Sequence, residues 1–103
     1  MAHSKYRVQT EEAKQKRKEV GSWIKKLRQD KDLTQAALAK RLGFDYYTFV
    51  SSVENGANRV PPEGMRYWAE ALGVGRRDFA KRLLAAYDPY MFEELFGPHS
   101  KED

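Results

Sequence analysis

The side chains able to do covalent or metal chemistry are few and badly spaced. There is no cysteine, which excludes disulfides, thiolate metal sites, iron–sulfur clusters and thiol nucleophiles together. The two histidines, His3 and His99, stand near opposite ends of the chain, too isolated to form a metal pair or a catalytic dyad. Glu93 and Glu94 are adjacent, which sends them to different sides of a helix and does not pair them for acid–base work. Gly73-Val74-Gly75 lacks the lysine of a phosphate loop and reads as a helix stop and connection. No enzyme activity, cofactor or metal is expected. What remains is noncovalent chemistry, in which cationic, hydroxyl and amide side chains meet a partner's surface.

The placement of the cations points to one kind of partner. Net charge is +4, but residues 1–42 hold 12 Lys/Arg against 5 Asp/Glu, whereas residues 43–103 hold 7 against 10. A basic half of this kind suits a polyanion. A length of 103 residues with 41% hydrophobic and 13% aromatic side chains is one domain with a real core. No apolar run approaches the ~20 residues that cross a bilayer, and residues 1–20 are mostly polar. A cytoplasmic protein with no membrane partner is expected.

The elements that must carry these side chains are helices throughout, because no apolar–polar alternation is sustained anywhere. Trp23, Ile24 and Leu27 form a stripe with Val20 one turn back, and Lys25, Lys26 and Arg28 lie opposite it. Upstream, Thr10 is a possible N-cap for an extension through Glu19 that carries Lys14, Lys16, Arg17 and Lys18 and has little to bury. Thr34 caps a second helix with Leu38, Ala39 and Leu42 inward and Gly43 as its stop. Asp45 can cap a third, from Tyr46 to about Glu54, ended by Asn55-Gly56, so that a turn of only two or three residues separates the second and third helices. Pro61-Pro62 leads into a fourth whose stripe is Met65, Trp68, Ala69 and Leu72, closed by Gly73. Arg76 or Asp78 begins a fifth with Phe79, Leu83, Leu84 and Tyr87 inward, stopped by Pro89. The expected architecture is all-α: a compact five-helix domain over residues 20–87, a basic N-terminal arm or helix extension over 1–19, and a short helical appendage, aromatic and acidic, with a tail, over 88–103.

Two short helices joined by a tight glycine-containing turn make the unit that presents a helix to the DNA major groove. The run Leu33-Thr34-Gln35-Ala36-Ala37-Leu38-Ala39-Lys40-Arg41-Leu42-Gly43, then Val53-Glu54-Asn55-Gly56, Pro61 and Ala69-Glu70-Ala71-Leu72-Gly73-Val74 resembles the phage-repressor and Cro-like helix-turn-helix family. The similarity runs from about Val20 to Leu84. Ala39 fits the close approach of the two helices and Gly43 the sharp turn. The resemblance implies a lambda-repressor-like fold and double-stranded DNA as partner. It also implies backbone contacts from Gln35, Asn55 and Arg59. Thr34, as a cap, leaves the N-terminal amides of the second helix free to face a phosphate, and Lys40 and Arg41 on that helix are better placed than Lys25, Lys26, Arg28 or Lys31.

The interval from Gly43 to Glu54 is eleven steps, one more than is usual in the family. Aligned from the turn, Tyr46, Tyr47 and Ser51 take the base-facing positions with Phe49 inward. Aligned from the far end, Val50 and Val53 become the inward pair and Tyr47, Thr48, Ser51 and Ser52 face the groove. One residue turns a helix face by about 100°, so both registers cannot hold throughout. The candidate base contacts are therefore Tyr46, Tyr47, Thr48, Ser51 and Ser52. Their hydroxyls and aromatic edges lack the bidentate groups that discriminate G or A most strongly, so modest base discrimination aided by DNA shape is expected.

Tyr87, Tyr90, Met91, Phe92, Leu95 and Phe96 crowd aromatic and long apolar side chains into ten residues. Such residues are enriched in interface cores, and the family commonly binds two-fold operators as dimers. They are the candidate homodimer interface. The reading is a DNA-binding transcriptional regulator, a repressor acting as a dimer on a palindromic operator. The alternative is a protein-interaction module that keeps the helix-turn-helix fold with little DNA readout and docks a protein partner through its aromatic tail.

Overall fold

The computed structural model describes residues 2–98 of the chain; His99 and the rest of the tail lie outside the described residues, as do the side chains of residues 2–9, His3 among them. Six α-helices follow one another: α1 (Ala2–Asp30), α2 (Gln35–Arg41), α3 (Thr48–Glu54), α4 (Met65–Leu72), α5 (Arg76–Tyr87) and α6 (Pro89–Phe96), with one 3-10 turn at Pro62–Gly64. No strand occurs among the described residues. Five of these helices precede Pro89, and the sixth is formed by the appendage.

The first helix differs from the sequence expectation in its continuity. Rather than starting at a cap on Thr10, α1 runs unbroken from Ala2 through Gly21 to Asp30, a rod of roughly 43 Å at 1.5 Å per residue. Glu, Gln, Lys, Arg and Ala, all good helix formers, fill 11–19 and sustain it without an apolar stripe. Gly21 is where α1 crosses the end of α3: a Cβ there would meet the backbone carbonyls of Val53 and Glu54, the first at 2.7 Å.

Around this rod the apolar stripes converge on one core. Val20 and Ile24 of α1, Leu38 of α2, Val50 and Val53 of α3, Trp68 and Leu72 of α4, Phe79 and Leu83 of α5, and Val60 from the loop after α3 are all buried. Trp23 stacks on Phe79 with centroids 5.8 Å apart, and the Arg82 guanidinium carbon lies over the Trp23 ring at 4.7 Å. α1 packs against α3, α4 and α5, while α6 packs on α5.

The connection between α2 and α3 is longer than the two or three residues expected, and it begins and ends differently. α2 is stopped at Gly43, whose φ of +84° is open to glycine at no steric cost. Phe44 N–H then donates to the Ala39 carbonyl at 2.9 Å and drops the Phe44 ring against Phe49, 5.2 Å between centroids. Because the chain has turned inward at Phe44, residues 45–47 are used in returning to the surface. α3 therefore starts at Thr48 instead of Tyr46, with Tyr47 and not Asp45 as its N-cap and no side-chain cap bond.

Candidate nucleic-acid interface

The α2–α3 pair is fixed from behind by charge as well as by packing. Arg28 of α1, only 6% exposed, grips Glu54, the last residue of α3 and 5% exposed. Its Nε donates to Glu54 Oε2 at 2.6 Å and its Nη2 to Oε1 at 3.0 Å, while Nη1 donates to the Leu33 carbonyl at 2.7 Å. Gln35 of α2 adds a third donor, its Nε2 reaching Glu54 Oε1 at 2.9 Å. One carboxylate thus ties α1, α2 and α3 together, and bidentate geometry sets their relative orientation as well as their distance. Among the described residues no buried side-chain nitrogen or oxygen lacks a partner. Arg28, expected opposite the apolar stripe with Lys25 and Lys26, is instead buried and cannot flank a phosphate.

On the outer side, α3 turns Val50 and Val53 fully inward. That is the inward pair of the far-end alignment, with Phe49 half-buried at the edge and its ring edge-on to Trp68 at 6.4 Å. Tyr47, Thr48 and Ser51 fall on one side of α3 by their spacing. Tyr46 is 76% and Tyr47 52% exposed, Thr48 is exposed and Ser51 half-buried. Ser52 is engaged locally: its hydroxyl donates to the Phe49 carbonyl at 2.8 Å and accepts from Asn58 Nδ2 at 2.9 Å.

The candidate backbone contacts divide in the same way. Thr34 is exposed and caps α2, its Oγ1 accepting the Ala37 N–H at 3.0 Å. Lys40 and Asn55 are exposed, Asn55 as the C-cap of α3. Gln35 is half-buried, and since its amide carries two hydrogens, the bond to Glu54 leaves one. Arg59 is held within the molecule: its Nη2 meets Asp88 Oδ2 at 2.8 Å, and its guanidinium carbon lies 4.8 Å from the centre of the Tyr87 ring. Lys14, Lys16 and Lys18 on α1 are exposed, as are Lys25 and Lys26.

Of the candidate interface residues at the C-terminal end, Tyr87 stands apart. It is 9% exposed and its hydroxyl accepts the Val60 N–H at 3.2 Å; its ring belongs to the domain's own core. Burial pushes its phenol above the usual value of 10.0, against the opposing pull of the Val60 N–H and of the Arg59 and Arg17 charges. On α6, Phe92 is half-buried and packs on Phe96 at 5.3 Å, whereas Tyr90, Met91, Leu95 and Phe96 are exposed.

No family model matches the chain, and neither a curated protein nor a solved structure matches it. Among the described residues no helix is long and apolar enough to cross a membrane.

Proposed function

We propose that this chain is a sequence-dependent, double-stranded DNA-binding transcriptional regulator of helix-turn-helix type, repressing as a dimer on a palindromic operator. The observation that carries the reading is the anchored pair of short helices. The Arg28–Glu54–Gln35 cluster holds α2 and α3 rigidly from within, while Tyr46, Tyr47 and Thr48 stand exposed at the start of α3. A rigid scaffold with an uncommitted polar and aromatic outer edge is what groove reading requires. In this reading Tyr47, Thr48 and Ser51 contact bases, with Tyr46 and Ser52 at the margins. Thr34, Gln35, Lys40 and Asn55 contact the backbone, joined by Arg59 once it leaves Asp88. Ser52, already hydrogen-bonded on both sides, contributes least.

The test is selection of bound duplexes from a random-sequence library, followed by salt titration of the enriched site. A palindrome with a steep salt slope is expected. Absence of binding at low salt would overturn the reading. It would favour the second one, a protein-interaction module, which the exposed Tyr90, Met91, Leu95 and Phe96 of α6 support.

A further inference from the structure

α6 has two apolar sides, of which the one bearing the half-buried Phe92 packs on its own domain and the other is uncovered. Phe92 and Phe96 lie together, and Lys81 of α5 sits 4.6 Å from the centre of the Phe96 ring. The other side presents Tyr90, Met91 and Leu95, each more than half exposed, with Glu94 between them by helical spacing. Beside it runs a groove of about 650 Å³ whose lining includes the apolar side chains of Pro62, Met65, Leu84, Leu95 and Phe96 and the cations Arg77 and Lys81. The lining also carries Asp78 and the Arg59–Asp88 pair. Among the described residues Arg77 has no carboxylate within ion-pair distance.

We infer that the outward face of α6 from a second copy of this chain fills this groove, the two copies exchanging the same contact about a two-fold axis. Three observations choose that occupant. An apolar lining gains nothing from phosphates, so the groove does not fit DNA. The segment from Asp88 to Phe96 contains three acids and no Lys or Arg, while α5 carries Arg76, Arg77, Lys81 and Arg82, so α6 of one copy and α5 of another are complementary in charge. Leu95 lines the groove and is itself more than half exposed, so groove and outward face adjoin in one patch that a two-fold axis can pair with its own copy. In the dimer Glu94 of each copy faces Arg77 and Lys81 of the other. This rests on the dimeric part of the proposed function and supplies its contact surface, with Pro62, Met65, Leu84, Arg77 and Lys81 as partners that the aromatic segment alone did not reveal.

The test is sedimentation equilibrium of the full chain without DNA, for wild type, for Glu94→Lys and for the double variant Arg77→Glu/Lys81→Glu, with helix content and melting temperature confirming that each folds. Wild type is expected to dimerise at micromolar concentration, and each variant alone to weaken dimerisation at least about ten-fold through like-charge contacts. An equimolar mixture of the two is expected to regain the dimer, because both contacts of the mixed pair then join opposite charges. A wild-type dimer that neither variant weakens, or a mixture that stays monomeric, overturns this contact while leaving a dimeric repressor standing. A wild type that remains monomeric, with operator DNA as well, overturns the contact and the dimeric reading together, and leaves DNA binding itself to be judged by the duplex selection.

Discussion

Two arginine–carboxylate pairs bracket the loop that leaves α3, and they differ in almost everything except chemistry. Arg28–Glu54 and Arg59–Asp88 close at 2.6 and 2.8 Å, yet the side chains of the first pair are 8% and 1% exposed and those of the second 46% and 44%. At the buried pair water cannot replace a lost partner, so the geometry of α1, α2 and α3 depends on it. At the exposed pair water and salt stand ready to substitute, so the contact can open at little cost. The segment Asn55–Arg59 therefore has one fixed end and one releasable end. A contact distance alone would have ranked the two pairs as equals.

The sharpest way to break this comparison is at the buried end. Glu54→Ala leaves the Arg28 guanidinium without its counter-charge and removes the acceptor of Gln35, and is expected to cost about 3–5 kcal/mol in urea denaturation. A loss below about 1 kcal/mol would show that packing alone aligns the helices. Next in size is Gly21→Ala. Alanine gains about 1 kcal/mol of helix propensity, but its Cβ meets the Val53 and Glu54 carbonyls, and rigid backbone does not yield as a side chain would. A net loss of about 1–3 kcal/mol is expected; a variant more stable than wild type would mean that α1 can move away from α3 freely.

The difference between the pairs also marks what was legible from sequence. The apolar stripes, the Thr34 cap and the stops at Gly43, Gly56 and Gly73 follow from local rules, and the structure gives all three glycines a positive φ. In sequence Arg28 looks like one more cation of the Lys25–Lys26 face. Yet Val20, Ile24 and Arg28 recur every four residues, so a charge at 28 falls on the buried stripe and demands a partner. Which carboxylate answers it depends on the tertiary fold, and Glu54 lies twenty-six residues away. The N-terminal half of α1 left no apolar pattern to read, being sustained by propensity. The start of α3 is not legible locally because the inward turn at Phe44 depends on its packing on Phe49. Tyr87 fitted both the α5 stripe and the aromatic tail, and only packing assigns it to the core.

At the exposed end the expected effects are smaller in stability and opposite in function. Asp88→Asn is expected to cost no more than about 1 kcal/mol while freeing Arg59. If Arg59 then meets a phosphate, affinity for the selected operator rises and the slope of log K against log salt steepens by about one contact. Unchanged affinity and slope would show that Arg59 is a tether for α6 and takes no part in binding.

The least perturbing readout of the same pair is Tyr87, which responds to Arg59 without any effect at neutral pH. Burial holds its phenol above 10.0 in the folded state, so the unfolded chain ionises first. Its contribution to stability is therefore fully present below about pH 10 and is lost as pH rises through the folded value. The difference between wild type and Tyr87→Phe in urea midpoint should stay flat up to that pH and then shrink. Because the Arg59 charge favours the phenolate, a guanidinium that swings off the ring in Asp88→Asn removes part of the downward pull, and Tyr87 should titrate higher still by ultraviolet absorbance. A titration that does not move, beside a raised operator affinity, would place Arg59 on the ring and on the phosphate at once, and would make Asp88 a repulsive charge toward DNA and not a latch.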